Sequence, residues 1–265
     1  LKGKCLIDVI EIYNGDYYRY EKVVDSRLLI SETLDKNNGF AVQKSLANLI
    51  YIKITAIENS VISGIRICSN TEQRNQVALA YCMCTYRRES FVKDFLEKTL
   101  PNLEDVNLQV FISNNGPDYS LRYPDNVHIY KNANYGGAGG FSRAMYEAIE
   151  KGEATHIILA DDDIRIRPSC ISRTYAFLIG LKEEFKDTIV AGATISLDEM
   201  WLQTERYSRL SDRGFEYFGS YQDTRLKHIA IDNAMFPNIA GIAPWRYCVL
   251  SVKQVLSYGL ALPIF

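Results

Sequence analysis

With 265 residues and 47% hydrophobic side chains, the chain can form one large domain, or an ordinary domain with a small companion, around a true core. Thirty basic and 32 acidic residues leave a formal charge of -2, which excludes the overall cationic field that nonspecific nucleic-acid binding needs. Any polyanion must be met locally. The six cysteines, Cys5, Cys68, Cys82, Cys84, Cys170 and Cys248, lie scattered in apolar stretches. That pattern lacks both the paired spacing of a zinc site and the density of a disulfide scaffold, so it reads as free thiols suited to a reducing cytosol. The apolar tail LSVKQVLSYGLALPIF is interrupted by Lys253 and too short to cross a bilayer, and no signal-like segment precedes the first strands. A start without Met and a stop at Pro263, Ile264 and Phe265 lead us to expect a piece of a longer polypeptide.

Residues 4–69 carry short β-rich runs: CLIDVIEIY, YYRYEKVV, RLLIS, NLIYIKITAIE and VISGIRICS, separated by Asn-Gly, Asp-Ser, Asn-Asn-Gly and Glu-Asn turn signals. Alternating polar and apolar residues with no intervening helix predict a small antiparallel β-sandwich over 1–73. Its role reads as structural or chain-positioning, with a carbohydrate-binding face as the sharper reading.

The rhythm changes after TEQRNQ, where we place the boundary, and 74–265 alternates strand and helix. QVALAYCMCTY predicts a buried strand on which Cys82 and Cys84 share a packing face. ESFVKDFLEKTL predicts a helix stopped by Pro101, NLQVFIS a second buried strand and VHIYKN a short one. The next helix opens on a glycine-rich segment and puts Phe141, Met145 and Ile149 on one face. THIILA is a continuous apolar strand; Pro168 opens the following helix, and TIVAGAT follows as a strand. The fold class is therefore α/β with a mainly parallel sheet, in which ligands bind beyond the carboxyl ends of the strands.

Each polar motif falls at such an end: CTYRR at 84–88, SNNG at 113–116, and Asp161, Asp162 and Asp163 after THIILA. The helix opening at 136–143 adds unpaired backbone N–H groups, natural donors to phosphate oxygens, with glycine permitting close approach. In extended geometry Asp161 and Asp163 project to one side and could share a divalent cation, while Asp162 faces elsewhere; an acidic turn capping the next helix is the plainer alternative. Hard oxygen ligands favour Mg2+ or Mn2+. Arg143 is within reach of a phosphate or is an ordinary surface arginine.

In order and spacing, CTYRR, SNNG, NYGGAGGFSR at 134–143 and ADDDI at 160–164 resemble the second family of inverting glycosyltransferases, of GT-A fold. Among them, the bacterial galactofuranosyltransferases with an N-terminal β-sandwich are most similar. The resemblance implies a GT-A-type nucleotide-diphospho-sugar transferase domain behind that sandwich. It assigns Thr85, Tyr86 and Arg87 to the uridine, and Asn114 to the place of an Asp that accepts from the uracil N3–H. Asn134, Gly136 and Gly137 fall under the ribose and diphosphate, with Arg143 as a nearby support. Asp162 belongs with the donor-binding residues, and Asp161 and Asp163 are the metal pair. IAPWRYC at 242–248 resembles a strand with two tryptophans at the sugar pocket; Trp245 is present and Arg246 replaces the second. The general base is expected beyond Phe265, with a later histidine completing the metal site. His128, His156 and His228 come too early for that role. Without the base, donor binding but little turnover is expected, since general-base catalysis contributes ~10²–10⁴-fold.

The implied activity is transfer of galactofuranose from UDP-galactofuranose to a glycan or lipid-linked glycan in bacterial cell-wall polysaccharide synthesis. It carries an expected location in the cytoplasm at the inner membrane face, peripheral membrane association, and a capacity to oligomerise. Two alternatives stay open. One is transfer of another sugar such as rhamnose from a thymidine diphosphate donor; the other is a non-catalytic sugar-binding or scaffold protein.

Overall fold

The computed structural model of the chain describes residues 2–13, 25–34, 49–63, 65, 68, 72–118, 121–235 and 241–261. It divides into two compact units, Leu1–Asn70 with Leu226–Asn238, and Thr71–Arg225 with Ile239–Phe265.

In the first unit, β1 (Cys5–Tyr13), β2 (Asp25–Leu34) and β3 (Leu49–Ala56) form an antiparallel sheet in the order β2-β1-β3, with a register shift between Val9 and Ile10. Cys5, Ile7 and Val9 alternate along β1 and are buried, the period of a strand with one face packed. Of the expected sandwich, the described residues hold this one sheet. The predicted strand at 17–24 lies outside them, and the one at 61–69 retains a bridge from Lys2 to Val61.

The second unit runs β4 (Leu79–Thr85), α1 (Glu89–Asp94), β5 (Leu108–Asn114), β6 (Val127–Lys131), α2 (Gly136–Lys151), β7 (His156–Leu159) and α3 (Pro168–Gly180). The short strands β8 (Val190–Ala191), β9 (Thr194–Ile195), β10 (Leu202–Glu205), β11 (Tyr207–Ser211), β12 (Gly214–Phe218) and β13 (Gln222–Asp223) follow. Helix α4 (Lys227–Met235) belongs to the first unit, where Lys227 Nζ lies 6.0 Å from the centre of the Tyr51 ring; β14 (Cys248–Ser251) and α5 (Val252–Tyr258) return to the second.

The central sheet has the order β6-β5-β4-β7-β14-β8. Strands β4 to β7 are mutually parallel, whereas β14 is antiparallel to both neighbours. The α/β class with a mainly parallel sheet expected from the sequence is the observed one. Leu79, Tyr81, Met83, Val110, Ile112 and Ile158 point to the face covered by α1 and α3. Ala80, Cys82, Phe111, Ile157 and Leu159 point to the face covered by α2 and α5, where Phe141 and Met145 are buried and Ile149 is partly so. Burial on both sides explains why these strands read as unbroken apolar runs. All six cysteines are free.

Local chemistry sets the ends. After α1 the chain widens into a π turn over Phe95–Thr99 and tightens into a 3-10 turn over Leu100–Asn102. Pro101 lacks an N–H and its ring would collide with the carbonyl four residues back, so the single helix expected over 89–100 cannot persist. Asn75 Nδ2 donates to the Leu178 and Leu181 carbonyls at 2.9 and 2.8 Å, capping α3. Ser251 and Gln254 form a capping box that starts α5. Among the described residues no helix is long and apolar enough to cross a membrane.

Candidate functional site

At the carboxyl edge of the parallel strands, three loops and one helix start are bound to each other. Helix α2 begins directly at Gly136, so the glycines form its first turn instead of a loop before it. Gly136 has φ +68°, a conformation that favours glycine, and a Cβ on Gly137 would meet open space, leaving this turn accessible from outside. A Cβ on Gly140 would lie 2.1 Å from Cys84 Sγ, so glycine there is what seats α2 on β4. Phe141, Met145 and Cys82 complete that contact.

Asn115, next to the predicted Asn114, is the hub. Its Nδ2 donates to the Gly136 carbonyl at 3.1 Å and lies 3.5 Å from Asn134 Oδ1, while its Oδ1 accepts from Asn132 Nδ2 at 2.8 Å. Its backbone N–H donates to the Thr85 carbonyl. The ends of β4, β5 and β6 and the start of α2 are therefore one hydrogen-bonded assembly. Asn134 Oδ1 also accepts from the Gly136 N–H at 3.3 Å, which shapes the helix entry.

Asn114 is turned inward. It is buried, its Oδ1 accepts from the Gly116 N–H at 2.8 Å, and its Nδ2 donates to the Pro117 carbonyl at 2.6 Å. This amide builds the 114–117 turn. Thr85 is buried beneath the edge, whereas Tyr86 is exposed with the Arg87 guanidinium 5.1 Å from its ring centre. Arg87 holds φ +57°, a left-handed conformation uncommon for a residue with a side chain. It turns the chain sharply between Tyr86 and Arg88.

Strand β7 ends at Leu159, and Asp162 and Asp163 sit in a turn. The extended geometry expected for Asp161 to Asp163 is thus replaced by a bend, and Asp162 does not face away. It is 7% exposed, and its Oδ1 accepts from Arg88 Nη1 at 2.9 Å. The same Nη1 lies 2.5 Å from Asp163 Oδ2. Asp162 Oδ2 is buried with no hydrogen-bond partner, an arrangement that costs free energy unless something else supplies a positive charge or donor. Burial, and then the charges of Asp163 and Asp162, raise the pKa of Asp161 against the opposing pull of Arg246 and Arg88. Burial followed by Asp162 and Asp161 pushes the Cys84 thiol up to about 11, so it stays a neutral packing group. Three carboxylates thus meet at this edge, opposed by the Arg88 and Arg246 guanidiniums.

Segment 241–247 is a turn leading into β14, not the strand expected for 242–248. Trp245 packs edge-on against Phe141 of α2, ring centres 5.4 Å apart, and keeps one part of its surface open. Arg246 pairs with Glu205 at the end of β10. Ile242 is bridged to Ser208 of the β11–β12 hairpin. Arg143 departs from its expected aim: its Nη2 is 2.6 Å from Glu147 Oε1, one turn further along α2, and its guanidinium lies 5.7 Å from the Tyr130 ring centre. It braces α2 on β6.

The structure thus brings together Thr85, Tyr86, Arg87, Asn134, Gly136, Gly137 and Asp161 to Asp163, with Trp245 beside the helix start. Arg88, Asn115 and the Arg246–Glu205 pair were not singled out from sequence; adjacency to CTYRR and SNNG was the available signal for the first two. Among the described residues, no group of three or more His, Cys, Asp or Glu closes around a metal. Mg2+ and Mn2+ commonly take one or two carboxylates and complete their shell with water and phosphate, so hard oxygens beside a buried, unpartnered Asp162 Oδ2 fit such an ion.

No protein-family model matches the chain. It is 33% identical over 109 residues to the galactofuranosyltransferase GlfT2 of Mycolicibacterium smegmatis, a match covering 37% of this chain and 16% of that protein. It is 35% identical over 83 residues to GlfT2 of Mycobacterium tuberculosis, covering 31% of this chain and 13% of that one. The chain therefore spans a small part of the length of these relatives. Among solved structures, mannosyl-3-phosphoglycerate synthase from Rubrobacter xylanophilus overlays at a TM-score of 0.36 and 17% identity, over 68% of this chain and 56% of that one.

Proposed function

We propose that the second unit binds a nucleoside diphosphate sugar and belongs to a glycosyltransferase that moves galactofuranose from UDP-galactofuranose to a glycan acceptor. The observation that carries this reading is the buried Asp162 with an unpartnered oxygen, set between Asp161 and Asp163 at the same strand edge as the glycine start of α2. Its similarity to two galactofuranosyltransferases supports the choice of sugar. The diphosphate would lie between the first turn of α2, whose N–H groups donate to anionic oxygens, and the aspartate cluster. Tyr86 and Arg87 flank the nucleoside, and Trp245 offers a ring face to the sugar. Mg2+ or Mn2+ held by Asp161 and Asp163 would neutralise charge gathering on the departing diphosphate. The transfer itself is a displacement at the anomeric carbon: the acceptor oxygen forms its bond as the bond to the diphosphate breaks, and the hydroxyl proton passes to a base. Configuration inverts because attack is opposite to departure.

A second reading keeps the same site with a thymidine diphosphate sugar such as the rhamnose donor. It stays open because Asn114 is buried and bonds Gly116 and Pro117, and no contact of its amide distinguishes uracil from thymine. Saturation-transfer NMR with Mn2+ replaced by Mg2+, to avoid paramagnetic broadening, separates the two. UDP-galactofuranose should show enhancement that UDP displaces, and stronger enhancement than a thymidine diphosphate sugar. The reverse order rejects galactofuranose, and no enhancement from either rejects the transferase reading.

A further inference from the structure

We propose that Arg88 is a built-in counter-ion that occupies the Asp162–Asp163 end of the site and yields it when a diphosphate arrives, so that divalent cation and nucleotide bind as a coupled pair. This rests on the donor-site reading above.

Arg88 is the residue just before α1, and its side chain makes no capping hydrogen bond there. The left-handed turn at Arg87 instead sends it across the edge, where one nitrogen, Nη1, reaches Asp162 Oδ1 at 2.9 Å and Asp163 Oδ2 at 2.5 Å. Both of these contacts run through Nη1. The side chain is 46% exposed, so it has room to move, while Asp162 is fixed by burial. A divalent cation on Asp163 would lie against the guanidinium and be repelled by it. A diphosphate reverses that balance, because a guanidinium pairs with phosphate oxygens at least as well as with carboxylate. Released from Asp163, Arg88 would move to the phosphate and leave the carboxylates to the cation. Linkage requires the effect to be mutual: whatever nucleotide does for cation affinity, cation does for nucleotide affinity.

The test is Mn2+ binding followed by the EPR signal of the free ion, with and without UDP, in the full chain and in Arg88→Gln and Arg88→Lys. In the wild-type chain, UDP should raise Mn2+ affinity about tenfold or more. In Arg88→Gln, Mn2+ alone should bind about tenfold tighter than in the wild type, and the gain from UDP should shrink to about twofold. Arg88→Lys keeps the charge and should leave Mn2+ alone within about threefold of wild type. Circular dichroism checks that each variant is folded. If wild-type binding is coupled and Arg88→Gln binds Mn2+ alone equally or more weakly, the counter-ion role is overturned while the donor site stands. If the wild-type chain binds no Mn2+ even with UDP, both fall.

Discussion

The two edges of the central sheet both carry polar clusters, and they differ in how those clusters are satisfied. At the amino edge, His128 Nε2 lies 2.8 Å from Lys151 Nζ and 3.2 Å from Gln109 Oε1, and Gln109 also bonds Glu153. Gln109, Lys151 and Glu153 line a cavity of about 240 Å³ with Ala78 and Phe111. These groups sit near solvent and complete each other. At the carboxyl edge, Asp162 is buried with an orphaned oxygen, Asp161 has a raised pKa, and Arg87 holds an uncommon backbone conformation. Charge alone does not mark a site; charge held where it is not satisfied does.

Substitutions should therefore hurt unequally at the two edges. The largest effect is expected for Gly140→Val, whose Cβ would fall 2.1 Å from Cys84 Sγ and lift α2 from β4. Overpacking of this kind costs about 3 kcal/mol. Urea unfolding measures it, and a loss under about 1 kcal/mol would show that α2 is not seated so closely. Asp162→Ala comes next, at about 1–2 kcal/mol. The bond to Arg88 is charge-assisted, but its value is reduced because Arg88 is half exposed. Trp245→Ala should cost about 1 kcal/mol through its contact with Phe141 and weaken UDP-sugar binding more than UDP binding, read by calorimetry.

The smallest effect is expected at the amino edge, where Lys151→Ala should change stability by no more than about 0.5 kcal/mol. Burial, and then Lys151, lower the pKa of His128. A histidine harder to protonate when folded supports stability above its ordinary pKa of about 6.5 and loses that support as pH falls. Removing Lys151 should raise the His128 titration in NMR and lessen the acid-side loss. A downward shift would contradict the assignment.

Much of this was legible in the residues. Apolar runs ending in CTYRR, SNNG and ADDDI gave strands and their order along the chain, because strands buried on both faces leave little else to read. The glycine segment gave α2. The β11–β12 hairpin was missed although YSRLS and GFEYF alternate around Asp212 and Arg213, with Gly214 at φ +99°. Arg88 and the Arg246–Glu205 pair were missed for another reason: each depends on residues far apart in sequence meeting in space, and no local pattern encodes that. The bend at Asp162 was hidden likewise, since the same three carboxylates would suit a strand extension or a turn.

The most direct test concerns Asp161 and Asp163 as holders of a cation that ties down a diphosphate. Calorimetry of UDP binding to the full chain, with and without Mn2+, compared with the Asp161→Ala/Asp163→Ala double variant, addresses it. A cation held by Asp161 and Asp163 should tighten UDP binding at least tenfold in the wild-type chain and not in the double variant. Equal tightening in both would contradict it.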